Sequence, residues 1–238
     1  MPIGSDVQPP DMPMVPPHST PNPRGGPLLW ASLAFLWIAV VVTGLATLAA
    51  YDNRPGIAAG APERWPSDTA LRLDARRPTL VMLAHPRCSC TEASLSELAE
   101  ILARAPGRAQ AYVVFIRPTR AAGMADWDRT GLRRAAEAIP GVTVVRDEDG
   151  REAARFVART SGQTLLYGSD GRLLFSGGTT GARGHAGDNA GRATLISLLT
   201  DGRAARRDTP VFGCSLVGPA DRPLADDREH EAHADHTR

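Results

Sequence analysis

The chain has 238 residues and a formal net charge of +1, with 27 arginines, no lysine and 26 acidic residues. That balance excludes a nucleic-acid surface built on excess positive charge. Three cysteines are too few for a disulfide-scaffolded secreted module and suit one redox or metal site with a thiol to spare.

Residues 1–27 carry nine prolines and almost no large apolar residue. Such a segment buries too little surface to offset the entropy of ordering it, and disorder is expected. No charged residue lies between Arg24 and Asp52. About 20 apolar residues span a bilayer, so 28–51 is expected to be one transmembrane helix, with Trp30, Trp37 and Tyr51 near the interfaces. Its apolar run is longer than that of a cleaved signal peptide and lacks the basic start. Arg24 on one side and Arg54 and Arg64 on the other leave orientation undecided by charge. Large domains translocate largely regardless of charge, which leaves room for an extracytoplasmic C-terminal domain at a cell membrane. Residues 52–70, with Pro55, Pro62 and Pro66, read as a linker, and 71–217 as the folded domain. The charged end, 218–238, with His230, His233 and His236, reads as a disordered tail.

Within the domain, Thr79–Ala84 is a continuous apolar run, the pattern of a buried strand. Glu92–Arg104 has apolar residues at helical spacing. Ala111–Ile116 is a second strand, Thr130–Ala138 a helix stopped by Pro140-Gly141, and Val142–Val145 a third strand. Asp147–Gly150 reads as a turn and Glu152–Arg159 as a short helix. Thr164–Tyr167 and Leu173–Phe175 flank Ser169-Asp170-Gly171, a hairpin turn. Ala190–Leu199 closes the domain as a helix capped by Asp188 or Asn189. This alternation predicts an α/β domain, a mixed sheet flanked by helices.

The chemistry concentrates where the first strand stops, at His85-Pro86-Arg87-Cys88-Ser89-Cys90-Thr91. A helix N-terminus stabilises negative charge, and a cysteine so placed has a lowered pKa. His85 and Arg87 stand ready to tune the thiolate. A disulfide between Cys88 and Cys90 closes a very small ring, and strained bonds of this kind are labile and suited to exchange. The same thiolates suit a soft ion such as Cu(I), though no second pair exists for structural zinc. Arg183, His185, Asp188 and Asn189 form a candidate anion-binding loop before the last helix. Cys214, among apolar neighbours, is a further candidate to resolve Cys88 or Cys90, or to supply a third metal sulfur.

The element order, with cysteines ending the domain's first strand, resembles the thioredoxin-like fold over Leu71–Leu199. Asp147–Gly150, Gln163–Tyr167 and Asp170-Gly171-Arg172 look like the second half of membrane-anchored thiol–disulfide proteins. His85–Thr91 together with Ser176–Asn189 resembles a group of predicted membrane proteins labelled RedB-like. The resemblance implies thiol–disulfide exchange with protein thiols or disulfides and no cofactor, Cys88 attacking and Cys90 resolving. Two departures stand out. Thr91 fills the slot of the second thioredoxin cysteine, and Gln163 stands where a cis-proline precedes the apolar strand. That proline keeps metals from the thiols in the family. Its loss favours the alternative, a copper-binding or copper-delivery protein using Cys88, Cys90 and His185, as where a loop histidine joins two cysteines.

Overall fold

The structure is a computed structural model, and it describes residues 26–57, 60–118 and 129–216. The proline-rich segment 1–25 and the histidine-bearing tail 217–238 lie outside the described residues. The chain forms two units, one ending at Thr47 and the other starting at Leu48.

The first unit holds most of α1 (Gly26–Asp52), a 27-residue helix with no buried residue. At about 1.5 Å per residue it extends roughly 40 Å, longer than a bilayer's hydrocarbon core of about 30 Å. It is long and apolar enough to cross a membrane, as a single-pass anchor requires.

The second unit is an α/β domain with the mixed sheet and flanking helices that the sequence pattern predicts. Its strands β1 (Thr79–Ala84), β2 (Gln110–Arg117), β3 (Val142–Glu148), β4 (Gln163–Tyr167) and β5 (Leu173–Gly177) form one sheet in the order β3-β2-β1-β4-β5. β1 runs parallel to β2, and β2 to β3, whereas β4 is antiparallel to both β1 and β5. The helices are α2 (Ser89–Arg104), α3 (Gly131–Glu137), α4 (Arg151–Arg155) and α5 (Ala190–Asp201).

β1 reads as an unbroken apolar run because both of its faces are covered. Leu80, Met82 and Ala84 join Leu95, Leu98, Phe115, Phe175 and Leu195 in one core. Val81 and Leu83 join Val114, Phe156, Leu165, Tyr167 and Leu216 in the other.

Two local expectations are corrected. α2 starts at Ser89, three residues before Glu92, with Cys88 at its N-cap. β3 runs on through Asp147 and Glu148, and the buried Asp147 carboxylate accepts the N–H groups of Glu152 (2.8 Å) and Ala153 (2.9 Å). An unpaired N–H at a helix start is costly, which explains an acid inside an expected turn. Within the stretch read as a linker, 52–70, Glu63 and Trp65 pack on the domain. Trp65 meets Phe156 and Tyr167 edge-on, both at 5.3 Å between ring centroids, and Leu173 N–H donates to the Glu63 carbonyl (2.9 Å).

Candidate active site

β1 delivers the chain to His85, and the turn 85–88 redirects it into α2. His85 holds that turn together. Its carbonyl accepts from Cys88 N–H (3.2 Å) and from the Thr91 hydroxyl (3.1 Å), and its ring Nδ1 accepts from Arg87 N–H (3.1 Å). An Nδ1 used as an acceptor leaves the neutral ring's proton on Nε2. The His85 N–H donates to Ser161 Oγ (2.9 Å), and Ser161 Oγ lies 3.0 Å from Thr91 Oγ1. His85 is half-buried and Arg87 exposed.

Cys88 and Cys90 are buried, and Cys214 is exposed. Cys88 has extended backbone angles at the N-cap and makes no cap hydrogen bond of full geometry. Its sulfur is nonetheless surrounded by donors. Burial opposes its ionisation, but the Cys214 thiol, the backbone N–H groups of Cys214 and Cys90, and the Thr91 hydroxyl together hold the Cys88 thiol below the usual range. The other two thiols move the other way. Burial raises Cys90, and the charge of Cys88 and a hydrogen bond to it raise it further, against the pull of Arg183 and the Gly184 N–H. Burial, the hydrogen bond to Cys88 and its charge raise Cys214, again against Arg183. The arrangement is one ionisable sulfur flanked by two protonated ones.

Cys214 reaches this place because its segment is pinned on both sides. Ser161 N–H donates to the Cys214 carbonyl (2.8 Å), Leu216 N–H to that of Arg159 (2.9 Å), and Thr160 bridges Ser215. Gly213 permits the approach, since a Cβ there would sit 2.0 Å from the Ser161 carbonyl oxygen. Val211, Phe212 and Leu216 are buried, so the segment packs back on the domain.

The glycine-rich loop divides its expected site residues. Arg183 joins the thiols: Nη1 donates to the Gly213 carbonyl (2.7 Å), Nε to that of Arg54 (3.2 Å), and the guanidinium lies 5.0 Å over the Tyr51 ring. Asn189, not Asp188, caps α5, its side chain accepting Arg192 N–H (2.8 Å). Asp188 pairs with Arg192 on the surface. Glu97 of α2 clamps the loop, accepting Gly187 N–H (2.6 Å) and the Asn189 amide (3.2 Å) and pairing with Arg192 (3.0 Å). The polar groups expected to receive an anion are occupied by the protein itself.

His185 is exposed, its Nδ1 2.9 Å from the Arg183 carbonyl. Among the described residues no three His, Cys, Asp or Glu side chains are disposed to hold a metal ion. Cys88, Cys90 and His185 do not form such a group. Gln163 opens β4 opposite Leu83, its amide oxygen accepting Arg159 N–H (3.3 Å). The residue of that turn that faces the thiol helix is Ser161. The sequence reading missed Ser161, Thr91 as a donor, and the Gly184 N–H; their only signal was adjacency to Gln163, Cys90 and His185.

No family model matches the chain, and no curated protein does. Among solved structures it is similar to a hypothetical protein of Sinorhizobium meliloti 1021, with 20% identity and a TM-score of 0.52 over 68% of this chain and 94% of that one. It is also similar to an uncharacterized conserved protein of Geobacillus kaustophilus, with 16% identity and a TM-score of 0.50 over 69% and 92% of the two chains. These two show a shared fold. A secreted disulfide oxidoreductase of Mycobacterium tuberculosis aligns more loosely, with 16% identity and a TM-score of 0.36 over 54% and 84%.

Proposed function

We propose that this chain is a membrane-anchored thiol–disulfide oxidoreductase, of the RedB-like kind its motifs resemble, with its domain outside the cytoplasm. Cys88 of the Cys88-Ser89-Cys90 pair is the attacking thiolate, and its partners are protein thiols or disulfides. The observation that carries the reading is the Cys88 sulfur at a helix N-cap, ringed by neutral donors and held below the usual thiol range. A thiolate is the species that attacks a disulfide, and it must be present near neutral pH to do so. The N-terminal apolar helix supplies the anchor, and disulfide chemistry persists outside the cytoplasm.

Attack by the Cys88 thiolate on a partner disulfide forms a mixed disulfide and releases one partner thiolate. His85 and Thr91 position the turn that presents the sulfur. A second thiol of the cluster then completes the exchange.

The test uses the full chain in detergent carrying Cys90→Ser and Cys214→Ser together, so that Cys88 stands alone. Glutathione disulfide is expected to load Cys88 as a stable mixed disulfide at neutral pH, about tenfold faster than it loads an unperturbed thiol. Loading no faster than a free cysteine overturns the reading. So does a wild-type chain that isolates with one copper and thiols that never pair.

A further inference from the structure

We infer that Cys214 resolves the mixed disulfide at Cys88, so that the catalytic disulfide joins Cys88 to Cys214 and Cys90 stays a thiol. This rests on Cys88 being the nucleophile and names the partner that the short Cys88–Cys90 spacing obscures.

The first argument is backbone geometry. Cys88 is the N-cap of α2 and Cys90 its second helical residue. The two thiols hydrogen-bond each other, but a disulfide between residues two apart closes a very small ring of strained geometry. Bonding them distorts the first turn, where Thr91 N–H donates to the Cys88 carbonyl (3.0 Å). Cys214 carries no such constraint. It arrives on a different segment, held by Ser161, Thr160 and Arg183 from outside α2. Ser161 joins the two halves, with its hydroxyl on the His85–Thr91 turn and its N–H on the Cys214 carbonyl.

The second argument is access. Cys88 and Cys90 are both buried, at 2% and 6% exposure, whereas Cys214 is exposed and offers its thiol and its backbone N–H to the Cys88 sulfur.

The third is timing. While Cys88 is a thiolate, it accepts the Cys214 proton as a hydrogen bond and its charge keeps Cys214 protonated. A mixed disulfide at Cys88 is neutral. Those two restraints then vanish while burial remains, and Arg183 favours the Cys214 thiolate as it does that of Cys90.

The step balances as follows. The Cys88 thiolate attacks a partner disulfide, forms one S–S bond, and expels one partner thiolate, which takes a proton from water. Cys214 sulfur attacks the Cys88 sulfur and passes its proton to the second departing partner thiolate. One disulfide is consumed and one formed, and two electrons pass from the cysteine pair to the partner. The reverse sequence oxidises a partner dithiol.

The experiment treats the full chain in detergent with glutathione disulfide, quenches with alkylating agent over time, and maps the bonds by mass spectrometry. Wild type is expected to show Cys88 linked to Cys214 and Cys90 alkylated. Cys90→Ser should link Cys88 to Cys214 within about twofold of the wild-type rate. Cys214→Ser should hold the mixed disulfide at Cys88 about tenfold longer. A Cys88–Cys90 bond in wild type, or Cys214→Ser resolving at the wild-type rate, overturns the inference while leaving Cys88 as nucleophile. No loading of Cys88 in the double variant overturns both. Equal melting of the reduced variants and reduced wild type establishes that they are folded.

Discussion

Oxidising this protein should raise its melting temperature, by an amount that identifies which disulfide forms. A bond from Cys88 to Cys214 closes a loop of roughly 127 residues, against roughly three for Cys88 to Cys90. The chain-entropy relation assigns about 4.9 kcal/mol to the long loop and about 1.6 kcal/mol to the short one. The hydrogen bonds that favour the Cys88 thiolate are lost in either disulfide and subtract about 2 kcal/mol. The long loop keeps a gain of about 3 kcal/mol, while the short one is left near zero. For a domain of this size each kcal/mol moves the midpoint by roughly 2–4 °C, so the long bond gives a rise of roughly 6–12 °C.

The near-UV signal of the Trp65, Phe156 and Tyr167 cluster follows the transition, since these rings meet inside the domain. Full-length protein in detergent is scanned reduced and after stoichiometric oxidation, with Cys214→Ser alongside. The variant should show no rise on oxidation. Fully oxidised wild type melting within about 2 °C of the reduced form would refute the long-loop reasoning.

Thr91→Val removes the hydroxyl that bonds the His85 carbonyl and stands among the groups favouring the Cys88 thiolate. Because that hydroxyl lowers the Cys88 value, its loss moves ionisation to higher pH, and iodoacetamide labelling of Cys88 at neutral pH should slow by about threefold or more. Glu97→Gln leaves Arg192 without its buried counter-charge, the two side chains being 2% and 12% exposed. Thermal unfolding of the reduced protein should report a loss of about 3 kcal/mol, and a loss under about 1 kcal/mol would mean that the clamp contributes little. Gly213→Ala places a Cβ 2.0 Å from the Ser161 carbonyl oxygen, so the Cys214 segment must shift. Mixed-disulfide formation at Cys88 should slow as the Cys214 thiol and N–H leave its sulfur, and closure to Cys214 should slow further, about tenfold, as read by the same alkylation mapping.

The parts of this fold legible in the sequence are those determined by neighbours close along the chain. β1 was legible because burial of both faces demands an unbroken apolar run, and the β4–β5 hairpin because Asp170-Gly171 supplies its turn, Gly171 having φ +76°. The cap of α5 was legible because Asn189 needs only Arg192 three residues on. What escaped depends on distant partners. Ser89-Cys90-Thr91 is a weak helix opening by propensity, and it becomes helical because the His85 carbonyl and Ser161 hold the turn before it. Pro55, Pro62 and Pro66 spell a spacer, yet Trp65 finds two aromatic rings more than 90 residues away. Cys214 meets Cys88 only through the pairing of 214–216 with 159–161, which no local pattern announces.

The electrostatics of the cluster separate attack from resolution. The strongest effects on Cys88 after burial are hydrogen bonds from neutral groups, namely the Cys214 thiol, two N–H groups and the Thr91 hydroxyl. Such dipoles favour the thiolate without a bound counter-charge that must be drawn away when the sulfur attacks. The cation Arg183 acts instead on Cys90 and Cys214. It is fixed by the Gly213 and Arg54 carbonyls and the Tyr51 ring, so it cannot swing over to neutralise Cys88. Its influence on Cys214 is masked as long as the neighbouring thiolate is charged, and unmasked once that charge is spent in a mixed disulfide. A cation that rested on Cys88 would lower its pKa too, but would leave the waiting thiol with nothing to ionise it. The position of Arg183, one residue before the Gly184 N–H that binds Cys90, therefore makes chemical sense for a site in which the second thiol must stay quiet until the first has reacted.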